Sequence, residues 1–134
     1  MKINNFTILK KFPTNKEFNY LLDSVGWGSI DEKWINARRK ASDFAVSIYD
    51  KENIIGMGRI VGDGTFYTIY DVVVSKEYQG KGVGTIIINE LMNYFKSLPN
   101  KSARLYLGAS WGKEAFYEKL GFRQRPNKEE KIGA

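Results

Sequence analysis

The fold of this chain is decided by one stretch, Val72-Val73-Val74-Ser75-Lys76-Glu77-Tyr78-Gln79-Gly80-Lys81-Gly82-Val83-Gly84-Thr85. Its valines form a continuous apolar run, which is typical of a strand that is buried on both faces. Its glycines lead into a helix predicted over 83–98, whose apolar residues recur on one face. Glycine lets the backbone approach a ligand closely, and a helix start offers unpaired N–H groups with a favourable dipole. The stretch therefore predicts a place where anions bind, between a strand and a helix.

Two well-known phosphate-binding motifs do not match this loop. A Walker loop has the pattern G-x-x-x-x-G-K-[ST], whereas here Ser75 stands five residues before Gly80 and Gly82 follows Lys81. A dinucleotide loop has the pattern G-x-G-x-x-G, whereas Thr85 stands where the third glycine belongs. A plain strand-to-helix turn, which uses glycine only for its geometry, is the alternative.

Hydrophobic periodicity predicts strands and helices on both sides of the loop. Before it we expect a strand over 6–11, a helix that begins at a Thr14–Glu17 capping box, a helix over 31–42 and an antiparallel meander over 43–75. After it we expect the helix over 83–98, a strand over 103–107, a short helix over 113–120, a last strand over 122–125 and a polar, weakly ordered tail over 126–134. The order β-α-α-β-β-β-α-β-α-β predicts one domain over residues 1–134. Its class is α/β (α+β), with a mixed, mostly antiparallel central sheet flanked by helices.

The chain contains neither cysteine nor histidine, which excludes several kinds of enzyme. There can be no disulfide frame, no thiol nucleophile, no Ser-His or Cys-His pair and no metal site made of thiolate or imidazole ligands. Proton transfers must use Asp, Glu, Tyr, Lys or water. Since the absence of cysteine also fits a reducing compartment, we expect a cytoplasmic protein without a metal.

The net charge of +6, from 21 basic and 15 acidic residues, suits anionic partners of any kind. Charge alone therefore does not choose between nucleic acid, acidic membranes and polyphosphate cofactors. The basic residues are dispersed, with no run longer than Arg38-Arg39-Lys40, and no zinc-binding or helix-turn-helix pattern is present. No long apolar segment or signal peptide is evident either. We expect no nucleic-acid partner and no membrane partner.

The loop and a second motif resemble the signatures of the GCN5-related N-acetyltransferase (GNAT) family. The loop, as Gln79-x-x-Gly82-x-Gly84, is similar to the acetyl-CoA signature Arg/Gln-x-x-Gly-x-Gly/Ala. The segment Ala115-Phe116-Tyr117-Glu118-Lys119-Leu120-Gly121-Phe122 is similar to the closing motif A-x-x-Tyr-x-x-x-Gly-Phe, allowing for minor spacing variants. The chain departs from the family at Gly112, where many members carry an asparagine, so it has no side chain at that position to hydrogen-bond the cofactor. The resemblance covers residues 6–125.

This resemblance implies acetyl-coenzyme A as the cofactor. It places the pantetheine arm where two parallel strands, ending near Val74 and Leu107, splay apart, and the pyrophosphate on the glycine loop and the helix start. Gln79 either hydrogen-bonds the phosphates or braces the loop, and Phe116 is either a cofactor contact or a core aromatic. The predicted cofactor-binding residues are Val72, Val73, Val74, Gln79, Gly80, Lys81, Gly82, Val83, Gly84, Thr85 and Phe116.

The resemblance also implies direct attack of an amine on the thioester in a ternary complex, and no cysteine is present to form an acetyl-enzyme. Tyr117 is the candidate general acid for the leaving thiolate, and a backbone N–H near Val72 or Val73 is the candidate oxyanion donor. Asp71 is the second candidate catalytic residue, as a base or an anchor for the amine. A hydrogen-bonded strand or bulge carboxylate is the alternative for Asp71.

The acceptor is a separate question. In this fold the first two helices and their connection wall the acceptor side, which makes Trp27 and Tyr70 candidate substrate-binding residues; Trp34 is either there or in the core. Aromatic rings with carboxylates nearby suit a small-molecule cationic amine, and a protein N-terminus or lysine is the alternative acceptor. The alternative function is a non-catalytic acyl-CoA sensor of the same fold. A homodimer is an expectation by family analogy.

Overall fold

Six strands form one sheet in the computed structural model, which describes residues 2–3 and 5–125 of the chain. The elements are β1 (Lys2–Ile3), β2 (Phe6–Leu9), α1 (Asn15–Ser24), α2 (Glu32–Ala41), β3 (Phe44–Asp50), β4 (Asn53–Gly62), β5 (Phe66–Val74), a 3-10 turn (Lys76–Tyr78), α3 (Val83–Lys96), β6 (Arg104–Leu107) and α4 (Glu114–Lys119). The strands lie in the order β1-β2-β3-β4-β5-β6. All neighbours are antiparallel except β5 and β6, which are parallel. The mixed, mostly antiparallel sheet confirms the predicted fold class.

The sheet buries a hydrophobic core on each face. On one face α3 packs with Ile87 and Leu91 fully buried. On the other face α1 and α2 pack, with Phe18 and Ile35 buried against Met57. Both faces are apolar because neighbouring strand residues alternate between the two cores. No helix within the described residues is long and apolar enough to cross a membrane.

The start of α1 agrees with the sequence in detail. The Thr14 hydroxyl accepts from the Glu17 N–H at 3.1 Å, and the Glu17 carboxylate accepts from the Thr14 N–H at 2.9 Å. This reciprocal pair is the predicted capping box, and it satisfies two backbone donors that the helix leaves unpaired.

Both ends of the chain differ from the prediction. At the N-terminus Lys2–Ile3 forms an additional strand that pairs with β2, and β2 ends at Leu9 rather than at Lys11. The strand expected over 122–125 is wrong, since the structure shows no strand there. Phe122 is the one apolar side chain in that segment, so the segment has no alternating face to bury. The tail over 126–134 lies outside the described residues.

β5 and β6 pair only over their first residues. The register couples Phe66–Ile69 to Arg104–Leu107, and β5 then continues through Tyr70–Val74 past the end of β6. On that side the last five residues of β5 pair with no strand that the structure describes. We call this opening between the carboxyl ends of β5 and β6 the notch. It matches the splay that the resemblance implied, and the glycine loop follows directly after it.

A β-bulge interrupts the β4–β5 ladder beside the notch. The register shifts between Met57 and Arg59, so that Gly58 lies opposite two residues of β5, Asp71 and Val72. Asp71 has φ +55°, in the left-handed region that residues other than glycine rarely adopt. Bulges of this kind redirect a backbone or a side chain, and they are frequent next to active sites.

Gly58 allows α3 to pack closely behind the bulge. A Cβ at this position would lie 2.6 Å from Ile87 Cγ2 and 3.1 Å from Leu91 Cδ1. We expect Gly58→Ala to lower the free energy of unfolding by about 1–3 kcal/mol, because overpacking forces the helix or its side chains to move. Urea unfolding measures this loss. The control is Gly108→Ala, where a Cβ has nothing within 4 Å; an equal loss in both variants would contradict the packing argument.

Candidate functional site

The glycine loop presents a row of unpaired backbone N–H groups at the start of α3. Gly82 is the N-cap residue of α3, with φ +84°, and no side chain caps the helix. The Ile86 N–H donates to the Gly82 carbonyl at 3.1 Å. This is the first hydrogen bond of the helix. The backbone N–H groups of residues 80–85, which precede Ile86, have no acceptor within the part of the chain that the structure describes. Free donors at the positive end of a helix dipole fit a phosphate-bearing ligand.

Three side chains fix the position of the loop. Gln79 Nε2 donates to the Val74 carbonyl at 3.1 Å, which is the bracing role of the two that we considered. The Tyr78 hydroxyl donates to Asp50 Oδ2 at 2.6 Å, and this hydrogen bond raises the pKa of Tyr78. Lys81 Nζ lies 5.1 Å from the centre of the Tyr78 ring, which keeps a cation beside the loop.

Several predicted cofactor residues are placed to act through their backbone. The side chains of Val73 and Val83 are buried in the two cores, so only their main chains are available to a ligand. Phe116 packs over the start of α3, since its Cζ lies 3.3 Å from where a Cβ on Gly84 would be. A methyl group at position 84 would make this ring shift by a few tenths of an ångström, so Phe116 packs against the helix start whether or not it also contacts the cofactor. The structure brings the valines and the loop together at the end of β5.

Tyr117 lies on α4, half-buried among aromatic rings. Its ring centre is 5.0 Å from that of Phe116 and 6.1 Å from that of Phe122, both in edge-to-face arrangements. Burial raises the pKa of the Tyr117 hydroxyl. This hydroxyl has no hydrogen-bond partner among residues 2–3 and 5–125, so its proton is available to a ligand. Tyr117 also lines a cavity of about 690 Å³ along β6, which no other predicted site residue lines.

The carboxylate of Asp71 is held by two arginines. Arg59 Nε lies 2.7 Å from Oδ2, and Arg38 Nη1 lies 3.0 Å from Oδ1. Arg59 Nη1 also donates to the Arg38 carbonyl and to Ser42 Oγ, each at 3.3 Å. Because both carboxylate oxygens are engaged and the side chain is 12% exposed, this arrangement fits the bulge-carboxylate alternative for Asp71.

The sequence reasoning missed Arg38 and Arg59. Arg59 carried a signal, because it is the single charged residue of β4 and a buried arginine requires a partner. Arg38 carried a weaker signal: helical spacing puts it on the same side of α2 as the buried Ile35, but it stands in a run of basic residues at the end of the helix, where cations are common.

The two predicted substrate-binding residues are both exposed and do not contact each other. Trp27 is 57% exposed after α1, and its N–H donates to the Leu22 carbonyl at 3.0 Å. Tyr70 is 47% exposed on β5, with the Arg59 guanidinium 5.0 Å from its ring centre. No hydrogen bond or ring contact joins Trp27 to Tyr70 in the described structure. Trp34 is 57% exposed on α2, so core packing is the wrong explanation for it.

The family is identified by similarity to known proteins. Residues 28–133 match the model of the acetyltransferase (GNAT) domain. Over 116 residues the chain is 31% identical to the uncharacterized N-acetyltransferase ycf52 of Pyropia yezoensis. The matched region covers 83% of this chain and 66% of that protein. Over 118 residues it is 30% identical to the histone acetyltransferase TAP1 of Glycine max, covering 79% of this chain and 50% of that protein.

Similarity of structure agrees with similarity of sequence. The crystal structure of SA2161 from meticillin-resistant Staphylococcus aureus, described as a protein of unknown function and probable acetyltransferase, is similar with a TM-score of 0.84. The two chains are 28% identical, over 96% of this chain and 98% of that one. The predicted family is confirmed: this chain belongs to the GNAT family of acetyltransferases.

Proposed function

We propose that this chain, as one domain over residues 1–134, transfers an acetyl group from acetyl-CoA to a primary amine by direct attack in a ternary complex. The observation that carries the proposal is the row of free N–H groups over residues 80–85, directly after the unpaired end of β5. We assign the binding of the pyrophosphate to these donors and to Lys81. The free edge of β5 is then available to the pantetheine arm.

Two residues of β5 offer their backbone groups to the notch. The Ser75 N–H donates to the Ile55 carbonyl of β4 at 2.9 Å. Successive residues of a strand direct their N–H and C=O groups to alternate sides. Val74 and Val72 therefore direct theirs to the notch, where the Val74 carbonyl already accepts from Gln79 Nε2, and Val73 directs its own to β4. Of the two candidates for the oxyanion donor, Val72 is the one that this alternation favours.

The mechanism divides the work between the backbone and one side chain. Acetyl-CoA supplies an acetyl group activated as a thioester, with a thiol as the leaving group. The Val72 N–H stabilises the negative charge that develops on the carbonyl oxygen. Tyr117 gives its hydroxyl proton to the sulfur as the carbon–sulfur bond breaks. Asp71, with both oxygens bound to arginines, holds the bulge in position, and the proton of the amine passes to water.

The acceptor that we propose is a small-molecule amine. The exposed ring of Tyr70, beside the bulge, suits contact with a small carbon skeleton. A protein or peptide amine is the second candidate, because one relative is named a histone acetyltransferase.

A screen of amines with acetyl-CoA, monitored by the release of free thiol, tests this function. The panel contains small-molecule amines, lysine peptides and peptides with a free N-terminus. We expect thiol release that depends on the amine and exceeds hydrolysis. Calorimetry that shows acetyl-CoA binding, combined with no amine-dependent release across the panel, would contradict the enzyme and support the acyl-CoA sensor.

A further inference from the structure

The charged cluster at the bulge contains one more cation than anion. Arg38 and Arg59 share the single carboxylate of Asp71, and no other acidic side chain in the described residues forms an ion pair with either arginine. The side chains of Arg59 and Asp71 are only 11% and 12% exposed, so solvent screens this excess poorly. One additional anion would bring the cluster to zero net formal charge.

Arg38 has unused donors in this cluster. Its Nη1 donates to Asp71, whereas its Nε and Nη2 have no acceptor among the residues that the structure describes. The Arg38 side chain is 36% exposed, so a ligand can reach these donors. The N–H groups of a guanidinium match the two oxygens of a carboxylate or a phosphate. Asp71, to which Arg38 is bound, directly precedes Val72, the residue that we assign to the reacting carbonyl.

The carboxylates on the acceptor side are engaged in local structure instead. Asp31 caps α2 by accepting from the Lys33 N–H at 2.9 Å. Asp23 accepts from the Ser29 hydroxyl at 2.8 Å. These two carboxylates stay charged, but neither forms an ion pair with the cluster at the bulge. At the bulge itself the group with free donors is Arg38, which suits an anion rather than a cation.

We propose that the acceptor is a small molecule that carries an anionic oxygen group, a carboxylate or a phosphate, in addition to its amine, and that Arg38 binds this group. This inference rests on the proposed acetyl transfer and names the substrate class of the same site. Arg59 remains bound to Asp71 and keeps the bulge in place. The Arg59 guanidinium lies over the ring of Tyr70, which is half-exposed and so is open to a ligand beside the cluster.

Pairs of amines that differ only in the anionic group test the proposal. One pair is phosphoethanolamine and ethanolamine, and the other is β-alanine and β-alaninamide. We expect the ratio of kcat/KM, anionic over neutral, to exceed about 10 in at least one pair, and to fall about tenfold in Arg38→Met. Arg38→Lys keeps the positive charge but loses the paired N–H donors of the guanidinium, so we expect a kcat/KM ratio between those of the wild type and Arg38→Met. The pair with the larger ratio distinguishes phosphate from carboxylate.

Lys40→Met is the matched control, because it removes one exposed charge from the same turn of α2. We expect it to leave the ratio unchanged. Calorimetry gives a second readout: the Kd of the preferred anionic amine, measured with protein saturated with coenzyme A, should rise about tenfold in Arg38→Met.

The outcomes separate this proposal from the proposed function. A wild-type ratio near one, or an equal fall of the ratio in Lys40→Met, overturns the assignment of Arg38 and leaves acetyl transfer standing. An absence of thiol release with both members of both pairs, while lysine or N-terminal peptides are acetylated, also overturns the anionic small-molecule acceptor. An absence of release with every amine overturns the proposed function together with this inference.

Discussion

Gly82→Glu is expected to abolish acetyl-CoA binding. Gly82 caps α3 with φ +84°, and its backbone lies among the N–H groups that we assign to the pyrophosphate. Glutamate adds bulk and a like charge at these donors. It also forces an L residue into a conformation that costs about 1–2 kcal/mol. Measured by calorimetry, Kd should rise at least about 100-fold, which corresponds to about 2.7 kcal/mol of binding free energy.

Gly64→Glu is the control for the backbone strain. Gly64 has φ +98° and, like Gly82, open space around a Cβ, but it lies in the turn between β4 and β5. Both variants should lose similar stability in thermal unfolding, whereas Gly64→Glu should bind acetyl-CoA as the wild type does. Gly82→Lys separates charge from bulk and should retain more affinity than Gly82→Glu. Normal affinity in Gly82→Glu would remove the loop from the cofactor site.

The loop and most elements were predictable because their determinants are local. The glycine spacing, the capping box at Thr14 and the apolar face of α3 each depend on residues only a few positions apart. Those signals need no knowledge of tertiary contacts. The N-terminal strand Lys2–Ile3 was missed for the same reason, because two residues are too few to show a period.

The cluster at the bulge was not predictable, because tertiary packing brings its members together. Arg38 is 33 positions from Asp71, and Arg59 is 12 positions from it. Helical spacing puts Arg38 on the same side of α2 as Ile35, but it does not show that Asp71 is its partner. The Nη2 of the neighbouring Arg39 instead donates to Asn15 Oδ1 at 2.6 Å. Only the packing of α2 beside β4 brings Arg38 to the bulge.

The brace of the glycine loop depends on a tertiary contact in the same way. Tyr78 stood in the quoted stretch, but its partner Asp50 ends β3, 28 positions earlier. The two meet because the fold brings the 3-10 turn, which follows β5, close to the end of β3. A sequence pattern therefore locates the loop without showing what holds it.

Tyr117→Phe is expected to lower kcat by about 100-fold or more, the range for loss of a general acid. The substitution keeps the ring and its edge-to-face contacts with Phe116 and Phe122, so the local packing is retained. The hydroxyl has no partner among the described residues, so its removal leaves no protein group unsatisfied. Steady-state kinetics should show the loss in kcat, while calorimetry should show a Kd for acetyl-CoA within about twofold of the wild type.

Tyr94→Phe is the matched control, because Tyr94 also has a pKa raised by burial but lies on α3 against Phe44. Its kcat should equal that of the wild type. The pH profile provides a second test of Tyr117. Burial disfavours the phenolate, so the proton stays on the hydroxyl as pH rises past the ordinary tyrosine pKa of about 10. The fall in kcat caused by losing that proton should begin above this pH and be missing in Tyr117→Phe. An unchanged kcat in Tyr117→Phe would contradict the assignment: water would then be the proton donor, and Tyr117 would serve only in packing.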